Sequence, residues 1–304
     1  MTTLLHISDT HFGTEMPQVL AALERLVQAE VPALVVLSGD ITQRATVAQF
    51  RAARAFADRL ATPVWLSIPG NHDIPLFDLA ERLTRPYSRY SDAFGPNLEP
   101  VFESDDWLVQ CVNTTRWYRQ KNGEVSPRQI ERVAQGLAKA TPRQLRVVVV
   151  HQPVCVSRAE DLTNRLGGAD AALARWSDSG ADLILGGHIH LPYALPVGGA
   201  SEATPSPTIA SASVPVPASM PTPAPDLWVV QAGTAVSARV RAGAPNSVNL
   251  LRYDAAQPGR RTCKLERWDF VLANTRFEAI DIRDLPLRQH VALPARSPQA
   301  GHGA

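Results

Sequence analysis

The 304-residue chain has few cysteines, little net charge and no long apolar run. Cys111, Cys155 and Cys263 are odd in number and widely spaced, which argues against a disulfide framework and against a paired-thiolate metal site. They read as reduced thiols of a cytoplasmic protein, each a small buried apolar group rather than a nucleophile. No apolar run is long enough to span a membrane. The start, Met1-Thr2-Thr3-Leu4-Leu5-His6-Ile7-Ser8-Asp9, carries neither a basic leader nor a long apolar core, so no signal peptide is expected. With 30 basic and 29 acidic side chains the formal net charge is +1. That argues against an extended nucleic-acid track or an anionic membrane surface as partner, and leaves room for a local basic pocket. There is no internal repeat.

What the chain does have is apolar residues, 45% of the total, enough for one large domain or two small ones. Leu4 to Ile7 reads as a buried strand ending in Ser8-Asp9-Thr10-His11. Val19, Leu20, Leu23, Leu26 and Val27 recur at helical spacing behind Pro17. The continuous run Ala33 to Leu37 suits a strand covered on both faces and ends at Ser38-Gly39-Asp40. A helix through Phe50, Ala53 and Ala57 to Leu60 follows, then a strand from Pro63 to Ile68 that ends in Pro69-Gly70-Asn71-His72-Asp73. This alternation predicts a largely parallel sheet with its site beyond the carboxyl ends of the strands. Further on, Leu76 to Leu83 is expected to be helical. Val101-Phe102 and Leu108 to Val112 are expected to be antiparallel strands, and Ser126-Pro127 to start a helix. Val147 to Val150 reads as a strand ending at His151, and Ala169 to Asp178 as a helix. Residues 196–225 are Pro, Ala, Ser, Thr and Gly with almost no charge, a composition expected to be a disordered loop. Beyond it, Asp226–Val230, Ala235–Val240, Val248–Tyr253 and Cys263–Phe270 read as strands of a second sheet. The Pro- and Gly-rich stretch 288–304 reads as a frayed tail. The domain reading is a single domain over 1–287.

The strand ends carry the chemistry: Asp9 and His11, Asp40, Asn71 and His72, His151, then His188 and His190 after Leu185-Gly186-Gly187. Extended backbone would place His188 and His190 on one face. Taken alone, that pair is a metal site or two surface histidines in a loop. Likewise Asp9 or Asp40 alone reads as a helix N-cap, Asn71 as a turn residue and His151 as a satisfied core histidine. His6, inside the first strand, reads as structural, and His290 and His302 receive no role. Together, carboxylate, imidazole and amide oxygen suit Mn, Fe or Zn. Paired cations sharing a carboxylate can activate water and clamp a phosphoryl group.

In order and in chemistry, Asp9-Thr10-His11, Gly39-Asp40, Gly70-Asn71-His72-Asp73, His151 and Gly187-His188-Ile189-His190 resemble the five blocks of the calcineurin-like metallophosphoesterase superfamily. The resemblance covers roughly residues 3–195. It implies an α/β (α+β) sandwich: two mixed β-sheets packed face to face with flanking helices, four layers in all. It also implies two divalent or mixed-valence ions (Mn, Fe or Zn) with a hydroxide bridging them. Asp9, His11 and His190 would hold the first, Asn71, His151 and His188 the second, and Asp40 would bridge. His72 would contact the phosphoryl oxygen or protonate the leaving group, with Asp73 orienting its ring.

Leu5 to Gly13, Gly39-Asp40-Ile41-Thr42-Gln43-Arg44 and Ile68 to Asp73 are more loosely similar to bacterial class III cyclic-nucleotide phosphodiesterases. One departure is Gln152-Pro153 after His151, where many relatives carry a second histidine. The expected activity is a phosphodiesterase on a small phosphoester, a cyclic nucleotide. Alternatives on the same centre are a phosphomonoesterase, a nuclease or a UDP-lipid-precursor pyrophosphatase. From another class, the alternative is a non-catalytic scaffold. Arg44, Asn113 and Arg116 are the candidate substrate contacts, Trp117 or Tyr118 could stack on a base, and the 196–225 loop could cover the site.

Overall fold

A computed structural model describes residues 1–198, 224–256 and 261–290. The first strand–helix units are β1 (Thr2–Ile7), α1 (Pro17–Glu30), β2 (Leu34–Leu37), α2 (Val47–Leu60) and β3 (Val64–Ser67). Two short helices, α3 (Leu79–Thr84) and α4 (Ser88–Phe94), lead to β4 (Val101–Glu103) and β5 (Trp107–Cys111). Next come α5 (Pro127–Leu137), β6 (Leu145–Val149), α6 (Ala169–Asp178) and β7 (Leu183–Gly186). The chain finishes with β8 (Tyr193–Val197), β9 (Leu227–Gln231), β10 (Ser247–Tyr253), β11 (Thr262–Val271) and β12 (Arg276–Pro286).

These strands form two mixed six-stranded sheets, ordered β12-β11-β10-β1-β2-β3 and β4-β5-β6-β7-β9-β8. Strand alternation explains the stacking. Leu4, Leu34, Val36 and Leu66 of one sheet meet Val109, Val147, Leu183 and Val230 of the other in a shared core. Their neighbours Leu5, Ile7, Val35 and Leu37 face the opposite way, onto α1 and α2. Val148, Ile184 and Val229 likewise face α5 and α6. Each central strand is thus covered on both faces, which is why its sequence is largely apolar rather than alternating. The helices start on local signals. Thr46 caps α2 by accepting from the Gln49 N–H, and Ser126 and Gln129 form a capping box ahead of Pro127.

Three expectations are corrected. The strands after residue 226 do not make the second sheet by themselves. Strand β10 pairs antiparallel with β1, β11 and β12 continue the first sheet from it, and the second sheet is built from β4 to β9. Ala235–Val240 is a loop, held by an isolated bridge from Ser237 to Glu15. Leu76 lies outside the short helix α3, which begins behind the Asp78 cap. Most of the 196–225 stretch, with the cover it was expected to provide, lies outside the described residues. Its first residues, Pro196 and Val197, belong to β8 and pair with Trp228 and Leu227. Of the 288–304 segment only 288–290 are described. Within it Arg288 donates to the Ser177 carbonyl and His290 Nε2 lies 3.0 Å from Asp182 Oδ1. His302 lies outside.

Candidate functional site

Strands β1, β2 and β3 run parallel in one sheet, and β5, β6, β7 and β9 run parallel in the other. Their exits knit together through the backbone. The Asp9 N–H donates to Gly39 O at 3.0 Å, His11 N–H to Asp40 O at 3.0 Å, and Gly187 N–H to His151 O at 2.9 Å. Two glycines permit the approach. A Cβ on Gly70 would lie 2.0 Å from the Asp40 nitrogen, and one on Gly187 would lie 1.9 Å from Ser8 Oγ.

The loops that follow are strained where they matter. Asp9, His11, Asp40, His188 and His190 all have positive φ, between 42° and 73°. Such backbone is uncommon for residues with a Cβ and is held only where the surroundings over-determine it. It also replaces the expected reason for the convergence of His188 and His190. β7 stops at Gly186, and left-handed turns rather than strand alternation aim the two rings. Nor are Asp9 and Asp40 helix caps. Met16 and Thr46 occupy those positions for α1 and α2.

The side chains gather in three overlapping groups: Asp9, His11 and His190; Asp40, His151 and His188; and His11, Asp40 and His72. Within each, the donor atoms lie within 4.8 Å of one another. His190 Nε2 is 3.3 Å from Asp9 Oδ1 and 3.0 Å from His11 Nε2. His151 Nε2 is 3.3 Å from both Asp40 Oδ1 and Asn71 Oδ1. Asp40 lies between the clusters, its Oδ2 3.8 Å from His11 Nε2.

These donors fit cations. Asp9 Oδ1 and both His188 ring nitrogens are buried with no hydrogen-bond partner among the described residues. Orphaned buried acceptors are costly unless something electropositive meets them. The His151 Nδ1–H donates to Ser38 O at 2.7 Å, which leaves Nε2 free to ligate. Burial would raise the Asp9 and Asp40 carboxyls. His190 outweighs it and holds Asp9 at about 2, and His151 holds Asp40 well below the usual range. Burial lowers His11 to about 4 and His188 to about 3. Ionised carboxylates and neutral imidazoles are the forms a cation requires. For His151, burial pulls down but the Asp40 carboxylate prevails and pushes it up to about 9.

His72 stands beside these groups, edge-on to His11 with ring centroids 4.9 Å apart. Its ring is oriented by the Gln43 carbonyl, 3.0 Å from Nδ1, and not by Asp73. Both Asp73 oxygens are used elsewhere, accepting from the backbone N–H groups of Gly70, Ile41 and Thr42 and from the Thr42 hydroxyl at 2.8–3.0 Å. Asp73 therefore ties the β2 exit to the β3 exit. Burial, then the nearby Asp40, push its carboxyl up to about 6 against those donors. His6 is structural, as expected. It is buried in β1, with Nε2 2.9 Å from Ser38 Oγ.

Asp40, Asn71, His72, His188 and His190 line a cavity of about 530 Å3, while Asp9, His11 and His151 are buried and do not line it. Arg44 lines it, but Asn113 and Arg116 do not. Asn113 Oδ1 is taken by the Thr115 N–H and hydroxyl, and Arg116 by Glu124, Gln129 and two carbonyls. Both side chains serve to fold their own loop. Residues absent from the sequence-based expectation do line the cavity, notably Lys121, Asp161, Arg239 and Arg241. The last two stand on the loop misread as a strand and its continuation.

The family model for calcineurin-like phosphoesterases matches residues 2–192, most of the chain. The chain belongs to the calcineurin-like phosphoesterase family. The chain is similar in fold to a purple acid phosphatase from yellow lupin (Lupinus luteus) seeds, with a TM-score of 0.64 and 12% identity. That likeness covers 94% of this chain and 53% of the lupin protein, so the chain spans about half the lupin protein's length. A dimetal phosphatase from Danio rerio is similar with a TM-score of 0.60 and 11% identity, over 94% of this chain and 99% of the other. No curated protein sequence matches it. Among the described residues no helix is long and apolar enough to cross a membrane.

Proposed function

We propose that this calcineurin-like phosphoesterase is a dinuclear metal-dependent phosphodiesterase acting on a small phosphoester, with a cyclic nucleotide as the substrate class. The observation that carries the reading is the pair of clusters meeting at Asp40, which lines one cavity together with Asn71, His188 and His190. Asp9, His11 and His190 would hold one cation, Asn71, His151 and His188 the other, with Asp40 shared between them. The mixed nitrogen and oxygen donors suit Mn, Fe or Zn. When bound, the ions supply activation of water at neutral pH and neutralise charge on the phosphoryl oxygens.

The chain's own residues do the rest. Asp40, gripped at Oδ1 by the His72 N–H at 2.8 Å, fixes the spacing of the two clusters. The Gln43 carbonyl accepts only, so His72 carries its proton on Nδ1 and turns Nε2 to the cavity. There Nε2 accepts as it stands, and on gaining a second proton it can donate to a phosphoryl or leaving oxygen. A cavity of about 530 Å3 is of the size that takes a small ligand. The unpaired cysteines support a reducing compartment such as the cytoplasm.

A second reading, a phosphomonoesterase or pyrophosphatase, is favoured by one observation. Arg44, Lys121 and Arg239 line the cavity without a carboxylate partner among the described residues, which suits a substrate of higher negative charge. The deciding experiment reconstitutes purified protein with Mn and measures turnover on cyclic nucleotides, bis-aryl phosphodiesters, monoesters, nucleic acid and UDP-linked lipids. Faster turnover of diesters supports the proposal, and faster turnover of monoesters or pyrophosphates supports the second reading. Stoichiometric metal with no turnover of any phosphoester would return the chain to a scaffold role.

A further inference from the structure

The cavity is lined by two arginines of the β9–β10 loop that differ in one respect. Arg241 is satisfied. Its Nη1 donates to both Asp161 oxygens at 2.8 and 3.0 Å, and Nη2 pairs with Glu160. Arg239 is not. Its Nη1 donates to Gln43 Oε1 at 2.9 Å and lies 3.4 Å from His72 Nε2. Among the described residues, its Nε and Nη2 have no acceptor and no carboxylate faces it.

The loop holds this arginine still. The Thr234 hydroxyl donates to Arg239 O at 3.0 Å, and the Arg239 N–H donates to Ser237 Oγ at 3.3 Å. Asn246 Nδ2 grips Ser237 O at 2.8 Å, and the Ala238 N–H reaches Thr14 O at 2.9 Å. Arg241 clamps the far side to Asp161, a residue only 3% exposed. A guanidinium fixed on such a loop loses little freedom when it meets an anion.

Electrostatics makes the position informative. A cation beside a centre that would itself hold two cations is repelled unless an anion stands between them. For Arg241 that anion is in the protein; for Arg239 it is not. A guanidinium offering two unused donor positions matches the paired oxygens of a phosphoryl group.

We infer that Arg239 is a substrate-binding residue that grips the non-bridging oxygens of the phosphoester beside His72. It comes from a segment beyond the 2–192 region that matches the family. The inference rests on the phosphoesterase reading above and adds a residue to its substrate wall. Gln43 sets the direction of the guanidinium and His72 supplies the neighbouring acceptor.

The test uses the Mn-loaded full chain and orthophosphate as probe, with binding followed by titration calorimetry and metal content by elemental analysis. Arg239→Ala should keep the metal content and weaken orthophosphate binding about tenfold to a hundredfold, the size of a lost charge-assisted contact. Arg239→Lys should lose less. Gln43→Glu, which would set a carboxylate against the same Nη1, should also weaken phosphate without loss of metal. On the best substrate of the panel, Arg239→Ala should lose kcat/KM by a similar factor, and added guanidinium should restore part of it. Unchanged phosphate affinity in Arg239→Ala, loss of metal in that variant, or no phosphate binding by the wild type would each overturn the inference. If the wild type binds phosphate but hydrolyses nothing, the proposed activity fails, while the affinity comparison still decides the role of Arg239.

Discussion

Replacing Gly187 by alanine tests whether the metal centre depends on the contact between the β7 exit and β1. The new Cβ would stand 1.9 Å from Ser8 Oγ, 2.8 Å from Ser8 Cβ and 2.5 Å from Asp9 Oδ2. Ser8 Oγ can rotate away, but Ser8 Cβ is fixed by the backbone and cannot. Asp9 Oδ2 also accepts from the His188 N–H at 2.9 Å, so moving it breaks that bond. Relief therefore requires the two exits to separate, which moves the Asp9 carboxylate relative to His190. Overpacking of this kind costs about 1–3 kcal/mol. At about 2–4 °C per kcal/mol for a chain of roughly this size, the melting temperature should fall by roughly 2–12 °C. The assay is a thermal melt of the metal-loaded protein alongside metal content per chain. Gly187→Ala should melt lower and bind less metal, and adding Ser8→Gly, which removes the Cβ that cannot move, should recover part of the loss. Wild-type melting and full metal in Gly187→Ala would refute the packing argument.

Other perturbations have equally definite outcomes. His72→Ala should lose turnover by about 100-fold to 10,000-fold, the usual size of a proton-transfer or oxygen-contacting group, while keeping its metal; loss of metal would show His72 to be a ligand. Asp40→Asn should reduce the metal at both clusters, read by elemental analysis, because its carboxylate lies between them. Removing metal with a chelator should lower the melting temperature, since ions that bind only the folded chain stabilise it by mass action; an unchanged melt would count against tight binding. Far from the site, Asp182 is buried between the Arg261 guanidinium, His290 and the Arg146 N–H. Burial would raise its carboxyl, but the hydrogen bonds from His290 and Arg261 outweigh it and hold it below the usual range. Its contribution is thus complete above the unfolded carboxyl value of about 3.9 and fades as the pH falls through the lower folded value. Asp182→Asn should cost about 3 kcal/mol or more at neutral pH by urea denaturation. The gap to the wild type should narrow below about pH 4, and a gap independent of pH would contradict the assignment.

The parts legible in the sequence were those whose signal is local. β2 and β7 are apolar throughout, and β1, β3 and β6 largely so, because each is covered on both faces, and each ends in the polar residues that converge at the site. The start of α5 was readable because Ser126 and Pro127 act within one turn. What could not be read was set by distant contacts. Arg239 reaches His72 across 167 positions, from a segment whose alternation resembles a strand but whose backbone is bound to Glu15, Thr14 and Thr234. Asp73 follows His72 directly, which invites a local pairing. The folded chain instead brings it four donors from Gly70, Ile41 and Thr42. Asn113 and Arg116 carry the right chemistry for phosphate, but their hydrogen bonds are spent on Thr115, Glu124 and Gln129. β10 was assigned to the wrong sheet because its pairing with β1 spans most of the chain and leaves no local signal.

The central claim is that two cations share Asp40 on the floor of the cavity. Crystals grown with Mn and measured for anomalous scattering test it most directly. Two peaks are expected, one among Asp9, His11 and His190 and one among Asn71, His151 and His188, with the Asp40 carboxylate reaching both. A single peak away from Asp40, or none at full occupancy of Mn in the medium, would contradict it.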